Sequence, residues 1–138
     1  MFVINILFFL TPKAEVAFLQ DNFSLRQVLE KMEHHKYSAI PILNDEGEYI
    51  GTMTEGDILW YCRHHDMIST KWLENLHLTD VPRRNDYKTV NASSNMEDLL
   101  SKAIQQNFVP VVDDCEKFIG IVTRREIIQY YVSVQHHT

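Results

Sequence analysis

Hydrophobic and polar positions follow one pattern that occurs twice along the chain. In each copy a short run of β-branched and aliphatic residues is followed by four mostly acidic residues, a second apolar run, and a segment with apolar residues at helical spacing. The first copy begins at Ile40 and the second begins 69 positions later, at Val109, and the two align without a gap. Such a repeat predicts a β-hairpin followed by a helix in each half of the chain.

The end of each second strand predicts the start of a helix. Thr54 and Thr123 stand directly before the periodic apolar segments, and threonine is a favoured N-cap residue. Backbone N–H groups at such a helix start have no partner within the helix, and they favour anions. Both threonine turns are therefore candidate positions for a ligand, although each threonine could also serve only as a cap.

A further strand and helix precede each hairpin. Ser24 is the predicted cap of a helix over residues 24–35, and Asn95 caps a helix that carries Met96, Leu99 and Ile104 on one apolar face. Short strands are predicted at 16–19 and 89–90. Each half then has the order β-α-β-β-α, and the predicted fold class is α/β (α+β), with two tandem repeats packed about a pseudo-twofold axis and one three-stranded sheet per repeat.

The predicted boundaries divide the chain into three parts. Residues 1–65 form the first repeat with an N-terminal apolar arm, 66–80 form a connector, and 81–138 form the second repeat. The arm is expected to be a short helix that ends at Thr11-Pro12, because proline disfavours helix at the residue before it. The connector contains Trp72 and three leucines, which predicts a short helix packed on the body of the protein.

The repeated motif resembles that of a known family. Proline followed by two hydrophobic residues, an acidic turn, and then aromatic-Ile-Gly-x-x-Thr-x-x-(Asp/Glu)-Ile is similar to the signature of the CBS domain. Two copies resemble a CBS pair, or Bateman module, and the chain is most similar to small stand-alone CBS-pair proteins of Gram-positive bacteria, some of which bind cyclic di-AMP. The resemblance implies a regulatory protein that binds an adenine nucleotide, such as AMP, ADP, ATP or cyclic di-AMP, in clefts between its repeats.

The resemblance also implies two sets of ligand-binding residues, each combining strand starts of one copy with the threonine turn of the other. Cleft one would use Val16, Ala17, Tyr37, Ser38, Ala39, Thr123, Arg124, Arg125 and Glu126. Cleft two would use Lys88, Thr89, Asn107, Phe108, Thr54, Glu55, Gly56 and Asp57. In the family, the Asp of the Thr-x-x-Asp motif binds ribose hydroxyls, while threonine or basic neighbours bind phosphate.

Charge favours cleft one for a phosphorylated ligand. Arg124 and Arg125 offer two guanidinium groups, which match phosphate oxygens, whereas Glu55 of cleft two repels phosphate. Glu126 replaces the Asp of the family motif, and its longer side chain moves or removes the ribose contact. The simpler alternatives are a solvated helix start for the two arginines and a helix-capping role for Asp57.

Composition narrows the classes of function. The formal net charge of −6 argues against a nucleic-acid-binding surface, which needs a basic face. The two cysteines, Cys62 and Cys115, belong to no paired metal motif, and free thiols are typical of a cytoplasmic protein. The apolar run at 4–10 is too short to span a bilayer. We therefore expect a soluble, cytoplasmic protein with no membrane partner.

Catalysis and metal binding are disfavoured. Histidines occur as adjacent pairs at 34–35, 64–65 and 136–137, but neighbours on a helix point in different directions, so no metal site and no cofactor are predicted. No nucleophile stands beside a base in a recognisable arrangement, so the protein is not expected to be an enzyme. The main alternative to a nucleotide sensor is a structural homodimer module, in which Trp60, Tyr61 and Trp72 would form an interface.

Overall fold

The computed structural model describes residues 4–65, 70–84 and 86–136. It divides into two compact units, one formed by Met1–Val16 with Tyr87–Thr138 and the other by Ala17–Asp86. We call these the C-terminal unit and the N-terminal unit, after the repeat that each contains. The connector residues 66–69 and the tail residues 137–138 lie outside the described part of the chain.

The N-terminal unit has the predicted β-α-β-β-α order. Its elements are β2 (Leu19–Gln20), α1 (Leu25–His35), β3 (Ala39–Leu43), β4 (Tyr49–Thr54) and α2 (Glu55–His65), followed by α3 (Thr70–Asn75) and a 3₁₀ turn at Leu78–Asp80. Strands β2 and β3 are parallel, β3 and β4 are antiparallel, and the order in the sheet is β2-β3-β4. The predicted short helix of the connector is thus confirmed.

The C-terminal unit repeats that order and adds one strand. Its elements are β5 (Val90–Asn91), α4 (Met96–Ala103), β6 (Phe108–Val112), β7 (Phe118–Thr123) and α5 (Arg124–Gln135). The N-terminal arm contributes β1 (Thr11–Pro12), which pairs antiparallel with β7, so the sheet has four strands in the order β1-β7-β6-β5. The expected three-stranded sheet is therefore wrong for this unit, because the arm supplies an edge strand.

The arm is also part of the C-terminal core. It forms 3₁₀ turns at Ile6–Phe9 and Lys13–Glu15, and the side chains of Ile6 and Phe9 are buried in one cluster with Leu99 and Val109. The sequence analysis had assigned the arm to the first repeat, within residues 1–65. Sequence adjacency alone could not reveal that its apolar residues pack against the second.

Helix caps form where the sequence predicts them. Ser24 and Gln27 exchange side-chain and backbone hydrogen bonds in a capping box, and the Asn95 side chain accepts the N–H of Asp98. Ile104 departs from its prediction, since α4 ends at Ala103 and leaves Ile104 78% exposed. Because the helix ends one residue earlier, the Ile104 side chain does not join the apolar face on which the spacing had placed it.

The two hairpin turns are built alike. Asn44 Oδ1 accepts the N–H groups of Glu46 and Glu48, and Asp113 Oδ1 accepts those of Cys115 and Lys117. Such side-chain acceptors stabilise tight turns.

Candidate functional site

Each threonine turn lies against the strand start of its own repeat. The N–H of Glu55 donates to Ser38 O at 2.9 Å, and the N–H of Arg124 donates to Asn107 O at 2.9 Å. Antiparallel pairing causes this, since Ala39 opposes Thr54 and Phe108 opposes Thr123. The structure therefore brings together residues that the sequence analysis had assigned to different clefts. The grouping across copies stays a prediction.

In the threonine turn of the N-terminal unit, Thr54 and Asp57 bind each other through two reciprocal hydrogen bonds, so this turn is closed. Thr54 Oγ1 accepts the N–H of Asp57 at 3.2 Å, and Asp57 Oδ2 accepts the N–H of Thr54 at 3.1 Å. The other carboxylate oxygen, Asp57 Oδ1, accepts a second backbone N–H, that of Arg84, also at 3.1 Å. The Asp57 side chain is 5% exposed, so its carboxylate holds the helix start and the chain after α3 together. Ribose binding by Asp57 stays a prediction, and these bonds support the alternative capping role.

The turn of the C-terminal unit is open. Thr123 Oγ1 accepts the N–H of Glu126 at 3.2 Å and so caps α5. The longer Glu126 side chain is exposed, and its Oε1 accepts a hydrogen bond from Thr11 Oγ1 at 3.3 Å. The same motif position thus carries a buried structural carboxylate in one repeat and a solvent-accessible carboxylate in the other.

The two adjacent arginines have different environments. Arg124 Nε donates to Ala103 O at 2.6 Å, and its Nη2 donates to Ile104 O at 3.2 Å. These carbonyls end α4, so the guanidinium of Arg124 satisfies a helix C-terminus. Arg125 is exposed, and within residues 4–65, 70–84 and 86–136 its guanidinium has no hydrogen-bond or ion-pair partner. Sequence reasoning could not separate the two, because α4 is remote from them in sequence.

Arg125 borders a shallow depression on the C-terminal unit. The depression has a volume of about 370 Å³ and is lined by Asn107, Arg124, Arg125, Ile128 and Gln129. The guanidinium N–H groups of Arg125 and the first turn of α5 supply hydrogen-bond donors that suit an anion.

The remaining candidate residues are distributed between the two units. Lys88 is placed by Gln106, whose buried side chain accepts the Lys88 N–H at 2.7 Å and donates to the carbonyls of Lys88 and Phe108 at 3.1 Å. Thr89 lies between Lys88 and the start of β5. Val16 is buried at the end of the arm. Its neighbour Ala17 belongs to the N-terminal unit.

Tyr37 opens onto a larger apolar groove of the N-terminal unit. The groove has a volume of about 1070 Å³ and is lined mainly by α1 and α2, with Leu29, Met32, Ile58 and Leu59 among its residues. Cys62 also lines it, and burial raises the pKa of the Cys62 thiol. A thiol that stays protonated at neutral pH is a poor nucleophile.

Within the described residues, no group of three or more His, Cys, Asp or Glu side chains is arranged to hold a metal ion. The third histidine pair includes His137, which lies outside those residues. In the same described part of the chain, we find no helix with the length and apolarity that a membrane crossing requires.

Two β-α-β-β-α repeats, each with a threonine-capped helix after its hairpin, define a tandem-repeat α/β protein. The chain belongs to the CBS domain family, whose sequence profile matches residues 10–64 and 78–133. The resemblance inferred from the motif is thereby confirmed, as is the fold class.

Solved structures and a curated relative extend the comparison. The chain is 26% identical to the CbpB protein of Listeria monocytogenes in complex with c-di-AMP, with a TM-score of 0.82 over 94% of this chain and 96% of that one. It is 26% identical to a CBS domain protein of Streptococcus pneumoniae, with a TM-score of 0.83 over 94% and 87% of the two chains.

The curated relative is the chloroplastic CBS domain-containing protein CBSX2 of Arabidopsis thaliana. It is 23% identical over an alignment 159 residues long, gaps included, and the alignment covers 94% of this chain. The chain spans 64% of the length of that relative.

Proposed function

We propose that the protein is a regulatory sensor that binds an adenine nucleotide at the threonine turn of the C-terminal unit. The observation that carries this proposal is the guanidinium of Arg125 in the first turn of α5, which is exposed and has no partner among the described residues. Arg125 would bind phosphate oxygens and Glu126 would accept ribose hydroxyls, while Thr123 and Asn107 would border the ligand. The similarity to CbpB, solved in complex with c-di-AMP, supports cyclic di-AMP as a ligand, and AMP, ADP and ATP are the further candidates that the family motif implies.

The N-terminal unit is the weaker candidate for the same ligand. The carboxylate of Asp57 already accepts two backbone N–H groups, those of Thr54 and Arg84, and Glu55 adds an exposed negative charge at the turn. A phosphate approaching that turn would be repelled. We therefore place the phosphorylated ligand on the C-terminal unit.

Removing the Arg125 guanidinium is expected to weaken nucleotide binding. Arg125→Ala should raise the Kd of the best ligand among AMP, ADP, ATP and cyclic di-AMP about tenfold to a hundredfold, since hydrogen bonds to charged groups contribute about 1.5–3 kcal/mol. Isothermal titration calorimetry measures the change, after a thermal-shift screen has identified the ligand. Chromatography of the recovered nucleotide checks that it is not hydrolysed.

A matched control is available in the other unit. Lys71→Ala removes an exposed positive charge from α3, so it tests whether net charge alone is responsible. Equal affinity of Arg125→Ala and the parent protein would reject the site. Silence toward all four nucleotides would favour the structural homodimer instead.

We also propose that the protein forms a homodimer through grooves between the first and last helices of each repeat. The groove of the N-terminal unit exposes Leu59 (62% exposed), and a smaller groove of about 450 Å³ on the C-terminal unit exposes Ile128 (55% exposed). Two carboxylates, Glu33 and Glu55, and one lysine, Lys36, line the first groove and leave it net negative, whereas Arg124 lines the second. This opposite charge favours contact between unlike grooves of two copies, in a head-to-tail arrangement.

Placing a charge in either groove is expected to dissociate the dimer. Leu59→Glu and Ile128→Glu should each shift sedimentation velocity profiles toward monomer, because a carboxylate would be buried without a partner. Leu7→Glu, at an exposed leucine of the arm, is the control. The double variant Leu59→Glu with Ile128→Lys should recover the dimer only if unlike grooves meet. A parent protein that sediments as a monomer would contradict the proposal.

The proposal includes a role without catalysis, in which nucleotide occupancy is passed to a protein target by a population shift. It also includes a cytoplasmic location. Cys62 and Cys115 are free thiols, which fits a reducing compartment.

A further inference from the structure

Two arginines converge on one tryptophan of the N-terminal unit. Trp60 lies on α2 and is 38% exposed. The guanidinium carbon of Arg84 lies 5.1 Å from the centroid of its ring, and that of Arg63 lies 5.9 Å from it. Both distances are within the range of cation–π contacts. We call these three residues the Trp60 cluster.

The backbone holds Arg84 at this position. Arg84 follows the 3₁₀ turn Leu78–Asp80, and its own N–H donates to Asp57 Oδ1 at 3.1 Å. Asp57 precedes Trp60 by three residues on α2, so it fixes Arg84 next to the same helix. Arg63 follows Trp60 by three residues and therefore lies about one turn further along.

The positive charge of the cluster has no acidic partner within the described part of the chain. Over the described ranges 4–65, 70–84 and 86–136, neither guanidinium forms an ion pair or a hydrogen bond with an acidic side chain. Other arginines of the same unit do, since Arg26 pairs with Glu30 and Glu74, and Arg83 pairs with Asp86.

A guanidinium stacked on an aromatic ring keeps its N–H edge free. That edge is planar and matches two oxygens of a phosphate group. A phosphate monoester carries a charge between −1.5 and −2 at neutral pH, which two guanidiniums balance, whereas a carboxylate would balance only one.

We propose that the Trp60 cluster is a binding site for a phosphoryl group. The group belongs to free phosphate or to the phosphate end of a nucleotide, and it is held by Arg63 and Arg84 at the edge of the indole. All residues of this cluster belong to Ala17–Asp86, and it shares no residue with the nucleotide site proposed on the C-terminal unit. It stands even if that nucleotide site does not.

Tryptophan emission provides a direct test. The chain has two tryptophans, so Trp72→Phe leaves Trp60 as the reporter. Titration with pyrophosphate at constant ionic strength is expected to change Trp60 emission to saturation. Arg84→Ala and Arg63→Ala are each expected to raise the apparent Kd about tenfold or more. Arg84→Ala keeps the hydrogen bond from the backbone N–H of residue 84 to Asp57 Oδ1. The start of α2 should therefore stay folded in this variant.

Controls separate this site from general charge and from the other unit. Lys71→Ala and Arg125→Ala should leave the titration unchanged. Calorimetry of pyrophosphate binding to the protein with both tryptophans, compared with its Arg84→Ala variant, repeats the test without the Trp72 substitution. Unsaturable emission changes, or equal affinity of the parent and Arg84→Ala proteins in both measurements, would overturn the proposal.

Ligand comparison identifies the source of the phosphoryl group. AMP that binds about tenfold more tightly than orthophosphate supports a nucleotide phosphate, and equal affinities support free phosphate. Adenosine that binds as tightly as AMP would overturn the proposal, because stacking on Trp60 rather than phosphate recognition would then account for binding.

Discussion

Gly120→Ala is expected to lower the free energy of unfolding by about 3 kcal/mol, a large part of the stability of a small domain. Gly120 lies in β7 with φ of +154°, which side chains rarely adopt, and an added Cβ would lie 2.2 Å from Thr11 O. That oxygen belongs to the backbone of β1, which pairs with β7 at this point. The clash can be relieved only by moving the arm away from the sheet.

The measurement is urea unfolding followed by circular dichroism, together with chymotrypsin cleavage after Phe9. Phe9 is buried in the core of the C-terminal unit, so displacement of the arm should expose it and speed cleavage. Unchanged stability and cleavage would show that β1 is not held against Gly120.

Two other glycines supply matched controls. Gly51 occupies the equivalent position in the first repeat, but its added Cβ would meet the side chains of Arg83 and Asp86 at 2.5–2.8 Å. Flexible side chains can move, so Gly51→Ala should destabilise the protein less than Gly120→Ala. Gly56→Ala should be close to neutral, since its Cβ would contact only Thr54 Oγ1, at 3.8 Å.

Local patterns predict the repeats well because the signals act over a few residues. Ser24, Asn95 and Thr123 cap the helices that follow them, and the alternation of apolar runs with polar turns gives both hairpins. These interactions span three or four positions, so composition and spacing reveal them.

Contacts between distant segments escaped prediction. The bonds from Arg124 to the end of α4 and from the N–H of Arg84 to Asp57 join residues about 20 or more positions apart. The same is true of β1, which crosses to β7. Each contact changes the interpretation of a motif residue, because a side chain that already has partners is less available to a ligand.

Truncation of the two motif carboxylates is expected to lower the free energy of unfolding by very different amounts. Asp57→Ala should lower the free energy of unfolding by about 2 kcal/mol, since the part-buried N–H groups of Thr54 and Arg84 would lose their acceptor. Glu126→Ala should lower it by no more than about 0.5 kcal/mol, because within the described residues that exposed side chain accepts a single hydrogen bond, from the hydroxyl of Thr11. Urea unfolding of both variants tests the contrast.

Ligand binding completes that test, because it separates a structural carboxylate from one that contacts the ligand. If Glu126 accepts ribose hydroxyls as proposed, Glu126→Ala should weaken binding of AMP while stability is kept. Asp57→Asn is the isosteric control, since it replaces one of the two acceptor oxygens by a donor facing a backbone N–H. Equal stability of Asp57→Ala and Glu126→Ala would mean that the closed turn does not hold α2. The Asp57 carboxylate would then be as available to bind a ligand as that of Glu126.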